Sequence, residues 1–237
     1  MSLFKQFVLV SLLSLWFCGC TQTPTAVASP SPTTAATATP AMDTPVTMEP
    51  ELVGDEMVFI DPTYNYAIKF SPDYFFNANP EALSAALKAG KEALNIDYEQ
   101  EVGMRFTLSL DPPGSKPMIS VLAVAVERVS PLAGSLTRKQ YDTVSREHIK
   151  KNAAMKLLGP SELSTINGAE FYQTVYEMRP PGDDIVLTIV AYNHYDPKNR
   201  VAYIITYSLV GDNDAADKAR WEEVVKSFQV DENAGKK

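Results

Sequence analysis

Ser161-Glu162-Leu163-Ser164-Thr165-Ile166-Asn167-Gly168-Ala169-Glu170-Phe171-Tyr172-Gln173-Thr174-Val175-Tyr176-Glu177-Met178 decides the fold class. Two runs flank Asn167-Gly168, a pair that tolerates the positive φ angles of a two-residue hairpin turn. The second run sets Phe171, Gln173 and Val175 against Tyr172, Thr174 and Tyr176, the period-two pattern of a strand. The same grammar continues downstream. Arg179 to Asp184 turns the chain, Ile185 to Tyr195 reads as a strand, Asp196-Pro197-Lys198-Asn199 turns it again, and Val201 to Leu209 is the next strand. Successive strands joined by short turns predict an antiparallel meander.

Working back toward the N-terminus, Met57 to Asp61 and Asn65 to Phe70 are short strands around Pro62-Thr63. Met104 to Leu110 alternates. Met118 to Val129 is apolar at almost every position, as in a central strand covered on both faces. Three helices interrupt these strands. One runs from Pro80 to about Leu94, with Asn79 as its cap. The longest runs from Leu136 to Leu158, capped by Thr137 and stopped by Gly159-Pro160. The last runs from Asp214 to Phe228, with Trp221, Val224, Val225 and Phe228 inward. Helices that interrupt an antiparallel sheet predict an α+β fold, an αβα sandwich with a central, mainly antiparallel sheet and helices on its faces.

The chain has 237 residues and a formal net charge of -8, which disfavours nucleic acid and attraction to anionic lipid. Its two cysteines are Cys18 and Cys20. The globular part therefore has no thiol for a disulfide framework, a cysteine zinc cluster or a cysteine nucleophile.

Those cysteines end a distinctive leader. Lys5 lies near the front, Phe7 to Phe17 is apolar, and small Gly19 precedes Cys20. At about eleven residues the apolar run is too short for roughly 30 Å of hydrocarbon. The pattern resembles the lipobox of bacterial lipoproteins, usually Leu-Ala/Ser-Gly-Cys. Gly19 and Cys20 match it, while Phe17 and Cys18 depart from it. The resemblance implies a signal peptide over residues 1–19 and a diacylglycerol on Cys20, commonly with a further acyl chain. Acyl burial contributes about 0.8 kcal/mol per CH₂, so two or more chains hold a membrane firmly. Thr21 stands where an inner-membrane retention signal has Asp, which favours the outer membrane in a host with two. Residues 20–53 read as a Thr/Pro/Ala-rich tether, too poor in large apolar residues to offset its ordering entropy. At full polyproline extension thirty such residues reach roughly 90 Å. A domain over residues 54–231 and a polar tail over 232–237 complete the chain.

The domain also carries a resemblance. Asp61-Pro62-Thr63-Tyr64-Asn65-Tyr66-Ala67-Ile68-Lys69-Phe70-Ser71-Pro72 is similar to the opening of PsbP-like proteins. Thr165 to Ala169 resembles their mid-domain hairpin. Val201 to Tyr207, followed by Val225-Lys226-Ser227-Phe228, resembles their closing strand and helix. The resemblance implies an αβα scaffold for binding partners, with no common catalytic centre.

Candidate sites are sparse. His148 and His194 are the only histidines, and read as structural or surface residues rather than a shared metal site. Gly211 to Asp217 spaces acids in a way that echoes a calcium loop, but lacks the glycine and the bidentate glutamate of one; helix capping accounts for it. Asp111-Pro112-Pro113-Gly114 and Arg179 to Asp184 suit hairpin geometry or partner contact. Tyr172, Tyr176, Tyr192, Tyr195, Tyr203 and Tyr207 suit sheet packing, or an aromatic groove. No serine lies in a Gly-x-Ser-x-Gly elbow, and Lys150-Lys151 reads as a solvated helix face. No cofactor and no metal are expected. The expected function is a non-catalytic, extracytoplasmic binding or scaffold protein, held to the membrane through acylated Cys20 and meeting another envelope protein. Small-ligand binding and envelope hydrolysis are the alternatives.

Overall fold

The computed structural model describes residues 49–79, 81–85, 101–112, 120–130, 135–179, 185–210 and 215–230. The strands are β1 (Glu51–Val53), β2 (Glu56–Asp61), β3 (Tyr66–Phe70), β4 (Phe75–Asn77), β5 (Glu101–Ser109), β6 (Val121–Arg128), β7 (Met155–Leu157), β8 (Glu162–Ile166), β9 (Ala169–Met178), β10 (Leu187–Asp196), β11 (Val201–Val210) and β12 (Gln229–Val230). Two helices are described in full, α1 (Arg138–Lys151) and α2 (Ala215–Lys226).

Asn167 and Gly168 take φ angles of 48° and 87° and close the β8–β9 hairpin. β9, β10 and β11 form the expected meander, and β11 then pairs with β6. The large sheet runs β4-β5-β6-β11-β10-β9-β7, with β8 also on β9. A second sheet runs β1-β2-β3-β12. The strand pairings are antiparallel, and the fold is β-rich.

Strand alternation builds two cores. One face of the large sheet carries Leu122, Val124, Val190, Tyr192, Ile205 and Tyr207. It meets Phe59, Ile68 and Phe70 of the second sheet and Trp221, Val224 and Val225 of α2. That layer is therefore a helix and a sheet together, where helices were expected. The other face presents Tyr176, Met178, Ile189 and Ala191 to Ile149 of α1 and Met155 of β7. Farther along it, Tyr141 stacks on Tyr195 with centroids 5.0 Å apart.

Local signals explain most boundaries. The Thr137 side chain accepts from the Gln140 N–H while Gln140 Oε1 accepts from the Thr137 N–H, a closed capping box. Asn79 Oδ1 accepts from the N–H groups of Glu81 and Ala82, and residues 81–85 are helical. The rest of that expected helix lies outside the described residues.

Three expectations change. The longest helix ends at Lys151 rather than Leu158. Asn152 donates to the Ile149 carbonyl and accepts at Oδ1 from the Ala154 N–H, so the chain turns and Met155–Leu157 joins β9 instead. Glu51–Val53, counted with the tether, is a strand paired with β2. Gln229–Val230, just past the expected end of the last helix at Phe228, is a strand paired with β3.

Asn167 does more than turn the hairpin. Its Nδ2 donates to the carbonyls of Lys226 at 2.8 Å and Phe228 at 2.9 Å, tying β8–β9 to the end of α2. Asn167→Ala removes both donors and should lower unfolding stability by about 1–3 kcal/mol in urea titration. Asn167→Asp tolerates the turn but opposes two carbonyls with a carboxylate, and should lose at least as much.

Candidate functional site

Among the described residues Asp61, Glu127, Asp142 and Asp196 are buried carboxylates; Glu127 accepts from the Tyr141 hydroxyl at 2.6 Å, Asp196 accepts from the N–H groups of the turn after β10, and the other two sit in larger polar clusters. The first is Asp61, whose side chain is 0% exposed. Its Oδ1 accepts from the N–H groups of Thr63 at 3.0 Å and Tyr64 at 3.2 Å, which fixes the turn after β2. Its Oδ2 lies 2.7 Å from Arg105 Nε. Arg105 reaches it through a bulge in β5: Met104 opposes Ala125 and Phe106 opposes Val124, so Arg105 is the extra residue. The Arg105 guanidinium also lies 5.0 Å from the Tyr64 ring centroid, and Arg128 approaches the same ring at 5.5 Å. The Tyr203 hydroxyl donates to the Tyr64 carbonyl at 2.7 Å. This cluster joins the second sheet to the large one.

The second is Asp142 on α1, also buried. It faces an irregular sheet edge. Leu157 opposes Tyr176 and Glu162 opposes Gln173, so Leu158 to Ser161 form a bulge across from Thr174 and Val175. Leu158 still donates to the Val175 carbonyl at 3.0 Å. Arg146 donates to the Gly159 carbonyl at 3.1 Å. Ser161 Oγ donates to Asp142 Oδ1 at 2.7 Å and lies 3.0 Å from Thr174 Oγ1. Burial raises the Asp142 pKa, against the opposing pull of Ser161, Arg146 and Thr174. The arrangement holds a helix to a bulged edge through a carboxylate surrounded by hydroxyls.

The residues singled out from sequence fall as follows. Cys20 lies outside the described residues. His148 sits near the end of α1, over one face of the large sheet. His194 points into the other, with Nδ1 2.8 Å from the Glu170 carbonyl and its ring against Phe171 and Tyr203. The structure keeps the two histidines on opposite sides of the sheet. Among the described residues, no three His, Cys, Asp or Glu side chains gather as a metal site. Residues 211–214 lie outside the description, while Asp217 is in the first turn of α2, 3.4 Å from Arg220. Much of the turns at 111–114 and 179–184 also lies outside it. Lys150 pairs with Glu147 on the exposed side of α1, and Lys151 is exposed.

The tyrosines divide between the faces. Tyr192, Tyr203 and Tyr207 belong to the core beneath α2 and the second sheet. Tyr176 and Tyr195 face α1. They therefore line no common groove. Gln173 Nε2 donates to the Tyr192 hydroxyl at 2.8 Å. Burial, then the nearby Glu222 carboxylate, pushes the Tyr192 phenol up to about 12, and burial raises Tyr207 as well. Both stay protonated at neutral pH and serve packing and hydrogen bonding.

No protein-family model matches the chain, and no curated protein does. Solved structures overlap it in part. A Bacteroides thetaiotaomicron VPI-5482 protein superposes with a TM-score of 0.40 at 10% identity, over 73% of this chain. The match spans 48% of that protein, about half its length. LpqN of Mycobacterium tuberculosis, involved in cell envelope biogenesis, gives 0.47 at 8% identity, over 69% of this chain and 82% of its own. The immunity protein TplEi of Pseudomonas aeruginosa, solved with a peptide, gives 0.38 at 9% identity, over 75% of this chain and 98% of its own. At such scores no residue role passes from these proteins to this one.

Sequence reading overlooked both carboxylate clusters. Asp61 was visible as part of a turn motif, but its partner is 44 residues away on a bulge. Arg105→Met should cost about 3–5 kcal/mol, because it leaves Asp61 buried without its cation. Asp61→Asn in the Arg105→Met background should restore part of that loss. Denaturant titration of the four forms measures the coupling.

Proposed function

We propose that this chain is a lipid-anchored, extracytoplasmic binding or scaffold protein of the cell envelope, without catalytic activity, built on a PsbP-like αβα sandwich. The observation that carries the reading is Gly19-Cys20 at the end of a short apolar leader, followed by a Thr/Pro/Ala-rich stretch. Acylation of Cys20 holds the chain at the membrane, and the stretch after it spaces the domain from the surface. The domain supports a binding role through the use of its buried charges. Asp61 and Arg105 join two sheets, Asp142 joins α1 to an edge, Glu127 accepts from Tyr141, and Asp196 accepts from the turn after β10, so the buried carboxylates among the described residues find their partners within the fold. That leaves the exposed surface as the working part of the molecule. The partner is another envelope protein.

Expression of the full chain in a bacterial host tests the anchor. Membrane fractionation and mass spectrometry should find a mature N-terminus at Cys20 that carries acyl chains. Cys20→Ser should remain unprocessed. A wild-type chain that is exported but recovered unacylated from the soluble fraction would overturn the anchor. Crosslinking in intact cells tests the rest: partners should be recovered with wild type and depleted with Cys20→Ser. Equal recovery would show that the anchor plays no part in binding.

A further inference from the structure

The bulged edge of the large sheet contains a group whose charge is adjustable. Most of the contact between α1 and the rest of the domain is apolar or aromatic: Ile149 against Ile189 and Ala191, and Tyr141 against Tyr195. Polar contacts join these: the Tyr141 hydroxyl donates to buried Glu127 of β6 at 2.6 Å, Arg138 Nε donates to the Tyr195 carbonyl at 3.0 Å, and at the bulged edge the polar contact is Asp142. It is a buried carboxylate met by two hydroxyls, Ser161 on the bulge and Thr174 on β9, with Arg146 of its own helix as the charged group that faces it. Arg146 is turned partly to other work, since it donates to Gly159 of the same bulge. A single acid thus touches every part of this edge: the helix, the bulge and the strand behind them.

We infer that the Asp142–Ser161–Thr174 contact is a proton-operated latch, which holds α1 and the bulge of residues 158–161 closed more firmly in acid than at neutral pH. When the edge is closed the carboxylate is desolvated, which favours the protonated form. When the edge opens, water solvates it and the ordinary carboxylate value returns. The closed form therefore binds the proton more tightly. Its extra stability is fully present below the ordinary carboxylate pKa and fades as pH rises through the raised value. Ser161 can follow the change without moving, because its hydroxyl donates to the ionised acid and can accept from the protonated one. An open latch separates β7 and β8 from the outer edge of β9, and frees strand-pairing groups there.

Amide hydrogen exchange on the full chain, corrected for the intrinsic pH dependence of exchange, reads this opening segment by segment. In wild type, opening of α1 and of residues 154–166 should increase with pH by up to about tenfold per unit between the ordinary and the raised value of Asp142. β10 and β11 should serve as an unaffected reference. Asp142→Asn should abolish the slope, and a slope that survives it would overturn the inference. So would a wild type with no slope in these segments. Ser161→Ala provides a second route if Asp142→Asn does not fold. Removing a hydroxyl that favours the ionised acid should move the midpoint of the transition to higher pH, and an unmoved midpoint counts against the latch.

Discussion

The insertion of Phe228 between the two sheets is the contact on which the domain closes. Its side chain is 0% exposed. Its ring stacks on Tyr66 of β3 with centroids 5.1 Å apart and meets Phe171 and Tyr203 edge-on at 5.9 and 6.1 Å. One residue thus touches the second sheet and two strands of the large one. The backbone around it is equally occupied. The Phe228 carbonyl accepts from Asn167, Ser227 Oγ accepts from the Lys69 N–H at 2.8 Å, and β12 pairs with β3 immediately afterward. Aromatic burial supplies the energy and these polar contacts supply the register, since a slip of one residue in β12 would turn its side chains to the wrong face. The second sheet is incomplete until β12 joins β3 from far along the sequence, so the largest core depends on contacts of high sequence separation.

This junction also gathers the segments on which the PsbP-like resemblance was drawn. The PsbP-like signals lie far apart along the chain: Asp61 to Pro72, Thr165 to Ala169, Val201 to Tyr207, and Val225 to Phe228. In space they meet. Tyr66 and Phe228 stack, Tyr203 donates to the Tyr64 carbonyl, and Asn167 binds the end of α2. What these motifs record is how two sheets are joined.

The legible features were those set by neighbouring residues. Alternation in β9 and β11, the Asn167-Gly168 turn, and the caps at Asn79 and Thr137 are all local choices, and the structure contains them. Features set by distant partners were hidden. Met155 follows His148 at i+7, a helical spacing, yet Asn152 turns the chain and Met155 becomes a strand residue against Met178. Glu51–Val53 follows a proline-rich stretch, has all three residues exposed, and is a strand only because β2 lies beside it. The Arg105 bulge breaks the parity on which strand reading rests, so the cation points to Asp61 where alternation would aim it elsewhere. Asp142 lies on an expected helix and drew no reading, because nothing near it in sequence announces Ser161.

Two of the buried carboxylates, Asp61 and Asp142, show two solutions to one problem. A charge removed from water needs either a counter-ion or a set of hydrogen bonds. Asp61 has both, from Arg105 and two backbone N–H groups, and it stands where the two sheets must not separate. Asp142 is met mainly by hydroxyls, which serve the neutral acid as well as the ion, and it stands at a sheet margin already interrupted by Gly159-Pro160. A bulge protects an edge strand from unwanted pairing, but it also lowers the number of ladder bonds that hold the edge shut. The Asp61–Arg105 ion pair is thus where the two sheets meet, and Asp142 is at the rim of the large one. Conformational change confined to that rim would leave the Phe228 junction, and the fold with it, intact.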